Sequence, residues 1–143
     1  MSTINESLLL LINLAKAQTT VSRRFDRLSA HGIGFSDFVI LYLLNNAADG
    51  RMRRVDLAEK TGFTASGVTR LLSPLEKVGL VTREVNERDA RVSYVLITAA
   101  GKRVYEEAVV TAEYTAKDIL QVTKTKSLKA ITELLADLGG NIQ

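Results

Sequence analysis

Hydrophobic positions recur along most of this chain with the 3.6-residue period of helices, and in one interval the period drops towards two. From Thr3 to about Ser29, Leu8, Leu11, Ile12, Ala15, Thr19, Ser22 and Phe25 run down one side. Leu9, Leu10 and Leu14 widen that face beyond a single stripe. Thr3 and Glu6 stand at capping-box spacing, and Gly32 closes the element. A first helix that is apolar on more than one side has more to cover than its own small core. The extra surface reads as an interface with a second copy of the chain; the alternative is burial within the monomer. Arg23, Arg24 and Arg27 cluster at its far end, where they suit the negative pole of the helix dipole or a contact with DNA.

The second helix opens at Phe35, with Ser36 as expected N-cap and Phe35 and Ile40 at hydrophobic-staple spacing. Phe38, Leu41, Tyr42 and Leu44 make it the helix expected to be most buried. Asn45 to Gly50 breaks the pattern, and Arg51 to Arg53 is long enough only for a short strand. Arg54 to Thr61 is a short helical pattern with Val55, Leu57 and Ala58 as inward residues, stopped by Gly62.

The stretch Thr64 to Val78 separates into two faces. Val68, Leu71, Leu72 and Leu75 form an apolar stripe, while Ser66, Thr69, Arg70 and Ser73 occupy the opposite side. That outer face carries one Arg, short hydroxyls and no carboxylate, and Ala65 and Gly67 keep its start low in profile. Thr64 is placed to cap the helix. An ordinary Ser/Thr-rich surface helix has the same composition, so the neighbours decide. Helix, tight turn at Thr61 to Phe63, then a capped helix with an uncharged-to-basic face is the helix-turn-helix arrangement, whose second helix lies in the DNA major groove. Pro74 conflicts with a helical interior, so the helix either kinks there or ends near Ser73; the stripe continuing to Leu75 and Val78 favours a kink.

After Gly79 the pattern becomes strand-like: Leu80 to Val85 and Val92 to Thr98 are β-branched and aromatic-rich, separated by the polar tip Asn86 to Arg91. A hairpin directly after a recognition helix is a wing, and a basic tip can reach the adjacent minor groove. Thr98 then caps a long helix to about Gln121, with Val104, Ala108, Val109, Ala112 and Ile119 at helical spacing. A last helix begins at Thr123 or Thr125, carries Leu128, Ile131, Leu134, Leu135 and Leu138 on one side, and ends at Gly139.

Composition narrows the classes. A chain of 143 residues, 46% hydrophobic, supports one domain with a real core. There is no cysteine, which excludes disulfides, thiolate metal sites and cysteine redox sensing. No leader pattern and no apolar run of ~20 residues is seen, so a cytoplasmic protein with no membrane partner is expected. Net charge is +3, and residues 51–91 hold nine Lys and Arg against six acids while the remainder holds ten of each. The positive excess therefore falls where phosphate neutralisation needs it.

The order of elements and the local strings Val55 to Gly62, Val68 to Leu72, Leu75 to Val81, Arg88 to Arg91 and Leu96 to Gly101 together resemble the multiple-antibiotic-resistance regulator (MarR) family of winged-helix transcription factors. The resemblance covers essentially the whole chain, and its most specific piece is the D-x-R of the wing, Asp89 and Arg91. It implies that Asp89 orients the wing and that Arg91 enters the minor groove, a shape-reading role that suits a guanidinium. It also implies an obligate homodimer on a pseudo-palindromic site, with half-sites roughly 10 bp apart. Small aromatic or anionic effectors bound between the DNA-binding lobe and the dimerisation helices are implied likewise. The lone histidine, His31, speaks against a metal-sensing branch and is expected at a helix end.

The fold expected is mainly α (α+β), a winged helix-turn-helix with N- and C-terminal dimerisation helices. Residues 1–34 form the first dimerisation helix, 35–98 the DNA-binding lobe and 99–143 the C-terminal dimerisation helices, within one unit. The DNA-binding residues expected are Thr64, Ser66, Thr69, Arg70, Ser73, Arg88, Asp89 and Arg91, with no cofactor, no metal and no catalytic set. The function expected is a ligand-responsive repressor of transcription. The alternative is a winged-helix protein-interaction module whose Ser/Thr face docks a partner.

Overall fold

The computed structural model describes residues 4–85, 88–89, 93–121 and 128–142. These form α1 (Glu6–Arg24), α2 (Phe35–Asn46), β1 (Arg51–Arg53), α3 (Arg54–Thr61), α4 (Ala65–Lys77), β2 (Val81–Val85), β3 (Ser93–Ile97), α5 (Ala99–Gln121) and α6 (Leu128–Asp137).

The start of α1 differs from expectation: Asn5 is the cap, its Oδ1 accepting from the Leu8 N–H at 2.8 Å, while Thr3 lies outside the described residues. After Arg24 the chain tightens into 3-10 turns over Phe25–His31, so the α-helix is shorter than the apolar pattern. Gly32, at φ 77°, closes the segment as expected. Phe25 and Leu28 are buried there, whereas α1 itself buries no residue. Arg24 and Arg27 bond to Asp118 of α5 at 3.5 and 3.7 Å, which ties this arm to the long helix.

Ser36 does not cap α2. Gly34 takes that position, and its N–H donates to the Asp37 carboxylate at 2.9 Å, because Asp37 at the third helical position can reach back where Ser36 cannot. Ile40, Leu41, Leu43 and Leu44 are buried and make α2 the centre of the core; Phe38 and Tyr42 are half-buried. In α3 only Leu57 is buried: Ala58 is half-buried, and Val55, expected inside, is 61% exposed, since a helix this short turns a single position fully inward.

Strands β1, β3 and β2 form one antiparallel sheet in that order, confirming the short strand at Arg51–Arg53. Val81 pairs with Ile97 and Arg83 with Val95, so Val81, Val95 and Ile97 face the core. Leu80 and Thr98, expected at the strand ends, lie outside β2 and β3, and Val92 lies outside the described residues.

The join between sheet and α5 is tight. Thr98 Oγ1 donates to the Gly79 carbonyl at 2.6 Å and accepts from the Gly101 N–H at 3.0 Å, so the expected cap is also a tie to the end of α4. Gly101 is buried against the Leu80 carbonyl, where a Cβ would collide. Helix α5 then packs along α2 and the 3-10 segment, with Ala108, Ala112 and Thr115 buried. His31 stands at the end of that segment, as expected, with Nε2 2.8 Å from Thr111 Oγ1.

Helix α6 ends at Asp137, and Gly139, at φ 90°, turns the chain away just beyond it; its predicted start at Thr123 or Thr125 lies outside the described residues. Its apolar side, Leu128, Ile131, Leu134, Leu135 and Leu138, is exposed, as are Leu8 to Ile12 of α1. Burial within the monomer is therefore not what these faces do in the single chain. Among the described residues no single helix is long and apolar enough to cross a membrane.

Candidate functional site

Helix α4 is held at both ends by its own sequence. Thr64 Oγ1 accepts from the Gly67 N–H at 3.0 Å, which is the cap expected of it. At the far end Gly79 adopts φ 81°, its N–H donating to Glu76 and the Leu80 N–H to Leu75, the paired bonds of a Schellman stop. The helix runs through Pro74 to Lys77 rather than ending near Ser73. Pro74 has no N–H for the Arg70 carbonyl, and the buried Leu75 beyond it holds the last turn against the core. Val68, Leu72 and Leu75 are buried and Leu71 is half-buried, but the stripe stops there: Val78 is 68% exposed.

This anchoring turns Thr64, Ser66, Thr69, Arg70 and Ser73 outward, all exposed and on one helix. Thr64 Oγ1 also lies 3.3 Å from Ser66 Oγ. The preceding turn is fixed by Thr61, whose hydroxyl donates to Leu57 at 2.7 Å and accepts from the Phe63 N–H at 3.1 Å. Gly62, at φ 76°, supplies the left-handed residue between the helices.

Arg54 was missed from the sequence. Its Nη1 donates to Thr69 Oγ1 at 3.1 Å, which brings a guanidinium from α3 onto the outer face of α4. The signal was present: Arg53 has Asp56 three residues on and pairs with it at 3.1 Å, whereas Arg54 is followed at the same helical spacings by Leu57 and Ala58. Other members of the basic excess are committed within the lobe. Arg51 bonds to Glu84 at 2.8 Å and lies over the Tyr94 ring at 4.6 Å, bracing β1 against β2 across β3. Arg83 pairs with Glu76 at 3.4 Å.

At the hairpin tip Arg88 is exposed and Asp89 half-buried. Arg91 lies outside the described residues.

A second feature, behind the lobe, has no counterpart in the sequence reading of individual residues. Phe25, Phe35, Phe38, Tyr42, Tyr105, Val109, Ala112, Glu113 and Ala116 line a cavity of about 340 Å³ between α2, the 3-10 segment and α5. Four of the rings are stacked in sequence, Phe25 on Phe35 at 4.1 Å, Phe35 to Phe38 at 6.4 Å and Phe38 to Tyr105 at 5.5 Å. Burial pushes the Tyr105 phenol above its ordinary range, opposed by a hydrogen bond with Asn46, and the charges of Tyr42 and Glu113 push the same way as burial.

Comparison with known proteins places this geometry. The sequence profile described as the MarR family matches residues 31–92. The chain is 33% identical over 99 residues to the uncharacterized HTH-type transcriptional regulator YfiV of Bacillus subtilis, covering 69% of this chain and 61% of that protein. The chain thus spans less than two thirds of that relative's length. Among solved structures, NadR in complex with 4-hydroxyphenylacetate is 26% identical with a TM-score of 0.76, covering 97% of this chain and 98% of NadR. Sco3205 of Streptomyces coelicolor, a MarR family transcriptional regulator in complex with DNA, shares the fold at a TM-score of 0.82 and 20% identity, covering 96% of this chain and 88% of that one.

Proposed function

This chain belongs to the MarR family of transcriptional regulators, and from that premise we propose that it binds double-stranded DNA sequence-specifically as a homodimer and represses transcription until a small aromatic effector releases it. It is the family, one of transcriptional regulators, that sets catalysis aside.

The observation that carries the reading is the outward face of α4. Small hydroxyls and one guanidinium stand over its first turns, the carboxylate of Glu76 comes only at the far end and is paired with Arg83, and the inward face of the helix is locked into the core. A major groove admits such a helix, and Arg70 has the donor geometry for a guanine edge. Ser66 and Thr69 reach base edges beside it, while Thr64, Ser73 and Arg54 meet phosphates. Arg88 and Arg91 bring positive charge to the adjacent minor groove, with Asp89 orienting the tip. Residues 1–34 and 99–143 supply the dimer contacts and 35–98 the DNA-binding lobe, which acts in the cytoplasm.

The exposed apolar faces of α1 and α6 support the dimer, since surfaces of this kind are uncommon on monomers. The aromatic-lined cavity supports an effector site, lying where α5 meets α2 of the DNA-binding lobe. An effector there would favour a lobe spacing that no longer matches successive major grooves, so DNA affinity falls by a population shift.

Selection of bound duplexes from a random pool tests the reading. A pseudo-palindrome with half-sites roughly 10 bp apart is expected. Retention of no duplex at low ionic strength rejects it and favours a protein-docking use of the same face.

A further inference from the structure

We infer that the cavity between α2 and α5 selects an aromatic ligand bearing a positive charge, an amine or other organic cation, over the isosteric aromatic carboxylate. This rests on the cavity being the effector site, and it departs from the small aromatic or anionic effector expected from the sequence only in the charge it assigns.

Among the described residues that line the cavity, Glu113 is the one carboxylate, and no Lys, Arg or His is among them. The remaining polar atoms of the lining side chains are the phenols of Tyr42 and Tyr105. Nothing in that lining pairs with an anion. A carboxylate brought in would lose hydration, meet apolar rings and face a like charge. The guanidinium groups nearest in sequence, Arg24 and Arg27, are directed to Asp118 and do not line the cavity. The Glu113 charge is felt inside, since it helps to raise the Tyr105 phenol. Among the described residues Glu113 forms no ion pair of its own, so its carboxylate is available to an incoming ammonium.

The rings add to the same preference. A cation beside aromatic faces is attracted by the ring quadrupole, and an anion is repelled by it. Five aromatic side chains line a space of about 340 Å³, enough for one substituted ring.

Three probes of nearly equal shape separate charge from fit: tyramine (cation), 4-ethylphenol (neutral) and 4-hydroxyphenylacetate (anion). Calorimetric titration of each into the full chain is expected to give tyramine the tightest binding and 4-hydroxyphenylacetate the weakest. The end members should differ by roughly ten-fold or more, the ratio supplied by one charge-assisted hydrogen bond. Glu113→Gln, at an exposed position that does not threaten folding, should collapse that ratio, while Glu113→Asp keeps its direction. Equal or tighter binding of 4-hydroxyphenylacetate overturns the inference and leaves the effector cavity standing, as does a ratio that survives Glu113→Gln. Failure of all three probes to bind overturns the effector reading itself, and this inference with it.

Discussion

Arg54 Nη1 donates to Thr69 Oγ1 at 3.1 Å, joining the first turn of α3 to the outward face of α4. The bond spends one donor of a guanidinium that has five, so Arg54 is oriented rather than consumed. On the proposed reading, with α4 in the major groove, Arg54 stands beside that helix where a phosphate would pass. Arg54→Ala is expected to weaken binding to cognate and scrambled duplexes alike and to reduce the slope of log affinity against log salt by about one. Arg54→Lys should retain the slope with poorer affinity, because a lysine keeps the charge and loses the planar fork. A salt titration of duplex binding checks both, and an unchanged slope in the alanine variant removes Arg54 from the interface.

Arg70 should behave differently. It is exposed on the outer face of α4, one turn past the capped start. If it pairs with a base edge, Arg70→Ala costs ~1–3 kcal/mol on the cognate site and much less on a scrambled one. Equal loss on the two duplexes rejects base reading by Arg70.

The contrast between these two arginines shows what a sequence makes legible here. Arg70, Ser66, Thr69 and Ser73 share a helix, so a periodicity of 3.6 places them together without any tertiary information. Thr64, Gly62 and Thr98 could be read because capping and left-handed stops are local chemistry. Arg54 joins the same face only through the packing of α3 on α4, which no local pattern encodes. The caps at Thr3 and Ser36 went astray for a related reason: several polar residues lie near each helix start, and the backbone geometry chooses Asn5 and Gly34. The cavity was least legible. Its rings come from α2, the 3-10 segment and α5, and periodicity assigns each to a core rather than to the lining of a space.

Gly101 tests how tightly the wing is coupled to α5. A Cβ there would run into the Leu80 carbonyl and stand 2.8 Å from Ile97 Cγ1, with backbone on one side and a buried side chain on the other. Neither can swing aside. Gly101→Ala is expected to destabilise the fold despite the higher helix propensity of alanine, by about 1–3 kcal/mol or more as overpacking. Urea unfolding checks the sign; a stabilised variant would mean that α5 can pull away from the sheet at no cost.

Tyr105 gives a pH dependence. Burial raises its phenol above the ordinary value, so the folded chain holds the proton more firmly than the unfolded chain. The unfolded phenol titrates near about pH 10, so the stability that Tyr105 contributes is intact below that and declines as pH rises through it and towards the folded value. The unfolding midpoint should therefore fall more steeply between about pH 9 and pH 11 in the parent chain than in Tyr105→Phe. Parallel slopes would mean that Tyr105 ionises as easily folded as unfolded.

The last expectation concerns what covers the exposed helices. Ile12 in α1 is 50% exposed and Ile131 in α6 49% exposed, each within a run of other exposed aliphatic residues. Leaving such runs in water is costly at roughly 25 cal/mol per Å² of apolar surface, and a second copy offers the same surface in return. Ile12→Asp puts a charge into the middle of that face, where an unpaired carboxylate is expensive to bury and harmless in an exposed position. The variant should fold yet sediment as a monomer, while the parent chain sediments as a dimer. Its affinity for a two-half-site duplex should fall by about 10²–10⁴, because the second lobe no longer binds at the high effective concentration set by the first. On a single half-site the two proteins should differ little. A parent chain that is itself monomeric, or an Ile12→Asp variant that remains a dimer, would show that the α1 face is not the interface.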